Sequence, residues 1–245
     1  MKALILAAGY ATRLYPLTKE YPKPLLKIKG RPIIEHIIKK LEGIKGLEEI
    51  IVVTNSKFFD KFKEWRKGFK YTGKIVIVDD LTKGLNDRRG AIGDMSFAIL
   101  KQKIKDDLLV VGGDNLLGSE LGPFLKFCKA KGGYPTIGVY DMKSRTAAKN
   151  YGVVKLDKEG LIVDFKEKPA KPDSTYIAMC LYYFPVQSIK LLKEYMHLHA
   201  SKLDATGFYI DWLRKRTEVH GFVFEGSWFD IGDKKFYRKA EKEFN

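Results

Sequence analysis

Short unbroken apolar runs alternate along the chain with stretches in which apolar residues recur every three or four positions. Ala3 to Ala8, Ile50 to Thr54, Lys74 to Val78, Leu108 to Val111 and Thr136 to Tyr140 belong to the first kind. Such Val-, Ile- and Leu-rich runs read as strands buried on both faces. Between them, Ile33, Ile34, Ile37, Ile38 and Leu41 form one apolar stripe behind Pro32, a residue suited to a helix's first turn. Phe58, Phe62 and Trp65 mark a second helix, and Ala91 to Lys103 and Leu121 to Lys131 supply two more. Alternating strands and helices imply right-handed crossovers, so the pattern predicts an α/β fold: a Rossmann-like, mainly parallel mixed sheet with helices on both faces. Ligands of such sheets sit beyond the carboxyl ends of the strands.

After Tyr140 the period changes. Tyr151 to Asp157, a turn at Glu159-Gly160, Leu161 to Lys166 and Ile177 to Phe184 read as strands joined by hairpins or loops. This half is expected to form an antiparallel addition that covers the cleft. Helices over Ser188 to Leu198 and Phe208 to Lys215, a strand from Val219 to Phe224 and a charged terminal helix follow.

At 245 residues, without a flexible linker, repeat or low-complexity segment, residues 1–245 are expected to form a single domain. The formal charge is +15, yet lysines lie on nearly every helix and form no single tract. That spread argues against a nucleic-acid partner and favours small anions. The first apolar run is too short for a secretory segment, and no run reaches the roughly 18 residues needed to span a bilayer, so a cytoplasmic protein with no membrane partner is expected. Cys128 and Cys180 fall in apolar patterns and read as buried free thiols. The four histidines lack a matching ligand set for zinc, and no Gly-x-Ser-x-Gly elbow or Cys/His arrangement offers a nucleophile.

Chemistry gathers at the strand ends. Gly9 to Thr12 follow the first strand, and their amides can cup phosphate oxygens beside the permanent charge of Arg13. Any strand-to-helix turn also favours glycine. Pro22 and Pro24 hold Lys23 at a defined place in its loop. Leu108 to Val111 runs into Gly112-Gly113-Asp114-Asn115, which puts a carboxylate at the sheet's carboxyl edge, although Gly-Asp-Asn is a turn sequence too. Asp230 is a second carboxylate candidate, whereas Asp233 is better placed to cap the last helix. Two carboxylates from distant positions suit one Mg²⁺ shared with a substrate phosphate. Glu167 and Lys168, at a strand end, can accept from sugar hydroxyls and grip a phosphate, or be a charged strand end alone.

In order along the chain, Leu6-Ala7-Ala8-Gly9 to Arg13, Pro22-Lys23-Pro24, Gly113-Asp114-Asn115, Tyr151-Gly152-Val153-Val154, Glu167-Lys168-Pro169 and Trp228-Phe229-Asp230 resemble the motifs of the sugar-1-phosphate nucleotidylyltransferases. That family includes glucose-1-phosphate thymidylyltransferases and UTP-glucose-1-phosphate uridylyltransferases. The resemblance implies an enzyme that takes a nucleoside triphosphate, UTP or dTTP foremost, and a hexose-1-phosphate such as glucose-1-phosphate. The products are a nucleotide sugar and pyrophosphate, and Mg²⁺ assists. By the same carry-over, Arg13, Lys23 and Asp114 are catalytic, and Asp114 and Asp230 hold the metal. Leu6, Ala8, Gly9, Ala11, Thr12, Arg13, Asn86 and Gly90 bind nucleotide, while Asn115, Gly152, Glu167 and Lys168 bind the sugar phosphate. A homo-oligomer is compatible with the resemblance. Departures are Ala11 and Cys180, where many members carry glycine, and the charged Asn86 to Arg89 stretch, where thymidylyltransferases carry a Gln-containing loop. Because the chain ends soon after Asp230, a coupled acetyltransferase portion is not expected. Two further readings stay open: a cytidylyltransferase acting on phosphocholine, inositol phosphate or another small phosphate, and a catalytically silent regulatory subunit that binds nucleotide.

Overall fold

The computed structural model describes residues 1–199 and 202–244. Four parallel strands form its centre: β1 (Lys2–Leu6), with β4 (Glu49–Thr54) on one side and β6 (Leu108–Gly112) on the other, and β5 (Lys74–Asp79) beyond β4. Between β1 and β4 lie a small ribbon, β2 (Lys27–Ile28) with β3 (Arg31–Pro32), and helix α1 (Ile33–Glu42). Helices α2 (Phe59–Gly68) and α3 (Gly90–Lys101) make the crossovers to β5 and β6.

Period-two side chains feed two cores. Ile5, Val52, Leu109 and Val111 pack with α1 and Phe62 on one face, and Leu4, Ile51, Val53 and Val110 pack with Ile92 and Met95 of α3 on the other. Each of these fully buried aliphatic side chains contributes about 1.5–3 kcal/mol to folding. The continuous apolar runs of β1, β4 and β6 thus have a direct cause: both faces of these strands are buried, whereas β5 at the sheet edge is only half buried.

Past β6, β7 (Asn115–Leu117) leaves the sheet, and α4 (Gly122–Ala130) leads to β8 (Thr136–Asp141). The four-residue helix α5 (Arg145–Ala148), capped by the Ser144 hydroxyl, precedes the hairpin of β9 (Gly152–Leu156) and β10 (Ile162–Glu167). The long strand β11 (Tyr176–Phe184) joins this antiparallel half to β6. Its first part borders β9 and its last part borders β6, while β8 runs along its other edge across a register shift between Ala178 and Tyr182. Helices α6 (Ile189–Leu198) and α7 (Thr206–Leu213), strand β12 (His220–Phe224) parallel to β8, strand β13 (Trp228–Asp230) paired with β7, and α8 (Lys234–Glu243) complete the fold.

The nine-stranded mixed sheet is the α/β arrangement that the pattern predicts, with its antiparallel addition. Boundaries differ in places. The first strand ends at Leu6 rather than Ala8, because the Ala8 carbonyl turns to accept from the Asn55 side chain at 2.8 Å. Asp233 caps α8 as expected, accepting from the amides of Lys235 and Phe236 at 2.8 and 3.0 Å. Among the described residues, no helix is long and apolar enough to cross a membrane.

Candidate active site

Where β6 stops and β9 has not begun, the edge of β11 opens at Met179 and Cys180. Their carbonyls, which have no strand neighbour there, accept from the Asn115 side-chain amide at 2.6 and 3.2 Å. The Asn115 Oδ1 accepts from Trp228 Nε1 at 2.9 Å, so this buried side chain braces the wall with both of its ends. Above the gap lies a cavity of about 760 Å³ at the carboxyl ends of β1 and β6. Of the residues chosen from sequence, Arg13, Asp114, Asn115, Gly152, Glu167, Lys168 and Asp230 line it.

One end of the cavity is charged. After β1, Ala11 takes a left-handed conformation with φ 48°, the Thr18 hydroxyl donates to its carbonyl at 2.7 Å, and the turn Thr12–Leu14 buries Leu14. Arg13 is thereby turned to the cavity, where its guanidinium lies beside Gly232. Lys23 opens a second short turn behind Pro22 and donates to Asp114 Oδ2 and, at 3.1 Å, to the Ile231 carbonyl. Gly113 permits this convergence: its amide donates to the Leu6 carbonyl at 2.8 Å, and a Cβ at that position would lie 2.6 Å from the same oxygen. The β7/β13 ribbon sets Asp230 opposite Asn115, and the Ile231 amide donates to the Asp114 carbonyl at 3.2 Å. Burial first, and then the negative charge of Asp114, push the Asp230 carboxyl up to about 7 against the pull of Lys23 and Arg13.

That mutual repulsion suits a cation. The Asp114 and Asp230 oxygens are hard donors, and two carboxylates are what Mg²⁺ takes from a protein when phosphates and water complete its shell. No group of three or more His, Cys, Asp or Glu side chains able to hold a metal occurs among the described residues. The residues therefore fit an ion shared with substrate better than one enclosed by protein.

The other end is shaped by missing side chains. Gly152 and Glu167 form a cross-strand pair of β9 and β10, and the Phe165 ring and Glu167 Oε2 fill the space where a Cβ of Gly152 would stand. Gly207, in the first turn of α7, closes on the same carboxylate so tightly that a Cβ would overlap Glu167 Oε2. Burial raises the Glu167 carboxyl above its ordinary range, and the nearby Lys168 offsets part of that effect. Lys168 is exposed, with φ 45°, and its amide donates to the Tyr151 carbonyl at 3.1 Å. Between the two ends, Cys180 adopts φ 54° at the register shift of β11. Burial and the charge of Asp114 push its thiol up to about 12, so it stays neutral.

The remaining nucleotide-side candidates, Leu6, Ala8, Gly9, Ala11, Thr12 and Gly90, surround the ends of β1 and α3 outside the cavity's lining. Asn86 is exposed in a separate groove with Arg88 and Arg89, between α3 and α6. Asp204, Thr206 and Gly207 line the cavity and escaped the sequence reading. The signal available was a glycine directly behind the Thr206 that opens an apolar helix.

A glycine turn after the first strand of a parallel sheet, two cations beside it and paired carboxylates at the sheet's carboxyl edge stand where α/β proteins bind their ligands. The chain belongs to the nucleotidyl transferase family, whose model matches residues 2–245. It is 31% identical over 233 residues to the bifunctional protein GlmU of Methanocaldococcus jannaschii, covering 95% of this chain and 51% of that protein. It is 28% identical over 247 residues to a Sulfolobus acidocaldarius protein provisionally named a mannose-1-phosphate guanyltransferase, covering 99% of this chain and 63% of that one. The chain thus spans about half the length of the GlmU relative. Among solved structures, a UDP-glucose pyrophosphorylase complexed with UDP-glucose superposes with a TM-score of 0.83 at 19% identity, covering 99% of this chain and 97% of that one, a likeness of fold.

Proposed function

We propose that the chain transfers a nucleotidyl group from a nucleoside triphosphate to a hexose-1-phosphate such as glucose-1-phosphate, with Mg²⁺, giving a nucleotide sugar and pyrophosphate. UTP or dTTP is the favoured donor. The observation that carries this reading is one cavity with Arg13, Asp114 and Asp230 at one end and Gly152 and Glu167 at the other. The first end suits phosphate charge, and the second suits sugar hydroxyls.

In this reading a phosphate oxygen of the sugar attacks the α-phosphorus, and the bond to the pyrophosphate oxygen breaks. Arg13 neutralises the departing pyrophosphate. Lys23, fixed by Asp114 and the Ile231 carbonyl, holds positive charge beside the reacting phosphates. Mg²⁺ on Asp114 and Asp230 would neutralise further phosphate charge. Glu167 accepts from sugar hydroxyls, and the bare Gly152 and Gly207 leave its carboxylate within reach. Positioning and charge account for the acceleration, as in other transfers to phosphorus.

Pyrophosphate release with Mg²⁺ across UTP, dTTP, CTP and GTP against glucose-1-phosphate, mannose-1-phosphate and phosphocholine tests the reading. GTP and mannose-1-phosphate enter because of the name the Sulfolobus relative carries. Release that needs one triphosphate and one hexose phosphate is expected. Release with phosphocholine alone would replace the sugar by a small phosphate, and binding without release would make the chain a regulatory subunit.

A further inference from the structure

Helix α3 starts at Gly90, with φ 74°, and no side chain caps it. Its first free amides need partners, since a helix cannot satisfy them internally. They find them more than a hundred residues downstream: Ile92 donates to the Leu203 carbonyl at 3.0 Å and Ala91 to the Asp204 carbonyl at 3.4 Å. The approach is so close that a Cβ on Gly90 would lie 2.6 Å from the Leu203 oxygen and 2.7 Å from the Asp204 Cα. Just ahead of the helix, Arg88 pairs with the Asp204 carboxylate at 2.5 Å.

From Asp204 the backbone passes at once into the opposite wall. Thr206 shares a 2.5 Å hydrogen bond with the Tyr182 hydroxyl, and Gly207 closes on Glu167. Residues 203–207 therefore fasten the turn at Gly90 to the pocket around Glu167. We infer that this strap couples the nucleotide side to the acceptor side, and that Arg88 and Asp204 are positioning residues for the acceptor. The inference rests on the division of the cavity given under Proposed function. It adds two residues that touch neither reacting phosphate.

The Arg88–Asp204 pair is half exposed on both sides, so salt screens it and its share of the fastening is modest; the two amide bonds carry the rest. Losing the pair should loosen the strap without moving Arg13, Lys23 or Asp114. For Arg88→Ala we expect a KM for the sugar phosphate about fivefold higher. The KM for the triphosphate should rise less than that for the sugar phosphate, and kcat should stay within about twofold, because Arg13, Lys23 and Asp114 keep their places. Arg88→Lys should restore most of the difference, and the gap between wild type and Arg88→Ala should narrow as salt rises. Backbone hydrogen exchange should show the amides of Ala91 and Ile92 less protected in Arg88→Ala.

An unchanged acceptor KM overturns the strap, as does an equal fall in activity at unchanged KM values, which would signal only lost folded protein. If the wild type turns over no combination of triphosphate and acceptor, the transfer reading fails separately. Exchange at Ala91 and Ile92 then decides the strap, and unaltered protection overturns it.

Discussion

The two ends of the cavity are made in opposite ways. At the phosphate end, three segments far apart in sequence bring charge together: Lys23 meets Asp114, and Asp230 arrives on the β7/β13 ribbon. At the acceptor end one carboxylate is given room by residues with no side chain, Gly152 and Gly207. Charge that is added must be balanced, and here each carboxylate has a cation in reach. Space that is left empty needs no balance, but it tolerates no filling. The first end should therefore fail through altered charge, and the second through altered volume.

The largest effect is expected at the charged end. Asp114→Asn keeps the shape of the side chain, removes the partner of Lys23 and halves the carboxylate pair. Turnover should fall by about a thousandfold or more, as when a charge aimed at reacting phosphates is lost. Pyrophosphate release measures it, and an unaltered far-UV circular dichroism spectrum confirms the fold. A rate within tenfold of wild type would move the chemistry away from this end.

Gly207→Ala tests the other end by volume alone. The new methyl must displace Glu167 or push α7 outward. Overpacking of this kind costs about 1–3 kcal/mol of stability. A misplaced binding group should raise the KM for the sugar phosphate about tenfold or more, with the triphosphate KM little changed. If both KM values rise together, the two ends are not separate and the contrast between them collapses.

The same difference in construction explains what was legible in the sequence. The central strands announce themselves because both faces are buried, and Arg13, Lys23, Asp114 and Asp230 stand in motifs that keep their order. Space is harder to read. Gly207 carries no motif, and its role depends on how α7 meets β10. The ribbon that delivers Asp230 has three residues per strand, too few to show a period. Asn115, expected to bind the sugar phosphate, also braces the cavity wall, a role hidden because the sequence does not disclose that β11 would leave two carbonyls unpaired between β6 and β9. Asn86 falls in a groove of its own because the chain turns at Gly90, a turn dictated by contact with Leu203 and Asp204.

A third carboxylate sharpens the comparison, with the smallest effect. Asp94, on α3, is buried with its Oδ1 unpaired among the described residues, and the buried Asp80 lies beside it. Arg89 and Asp204 also act on it, but among the described residues no cation bonds to it as Lys23 does to Asp114. Burial, followed by the charge of Asp80, lifts its carboxyl from 3.8 to about 8. Across that interval the folded protein keeps a proton that the unfolded chain has released, so stability falls as pH rises and levels off above about 8. An amide never ionises. Asp94→Asn should therefore lose this slope, so that its Tm advantage over wild type widens by about 10 °C between pH 5 and pH 8. Turnover at neutral pH should stay within about twofold, because Asp94 does not line the cavity that holds Arg13, Asp114 and Asp230. Parallel Tm curves for the two proteins would mean that Asp94 is ionised in the fold and balanced by Arg89, and the distinction between a carboxylate with its own cation and one without would not hold.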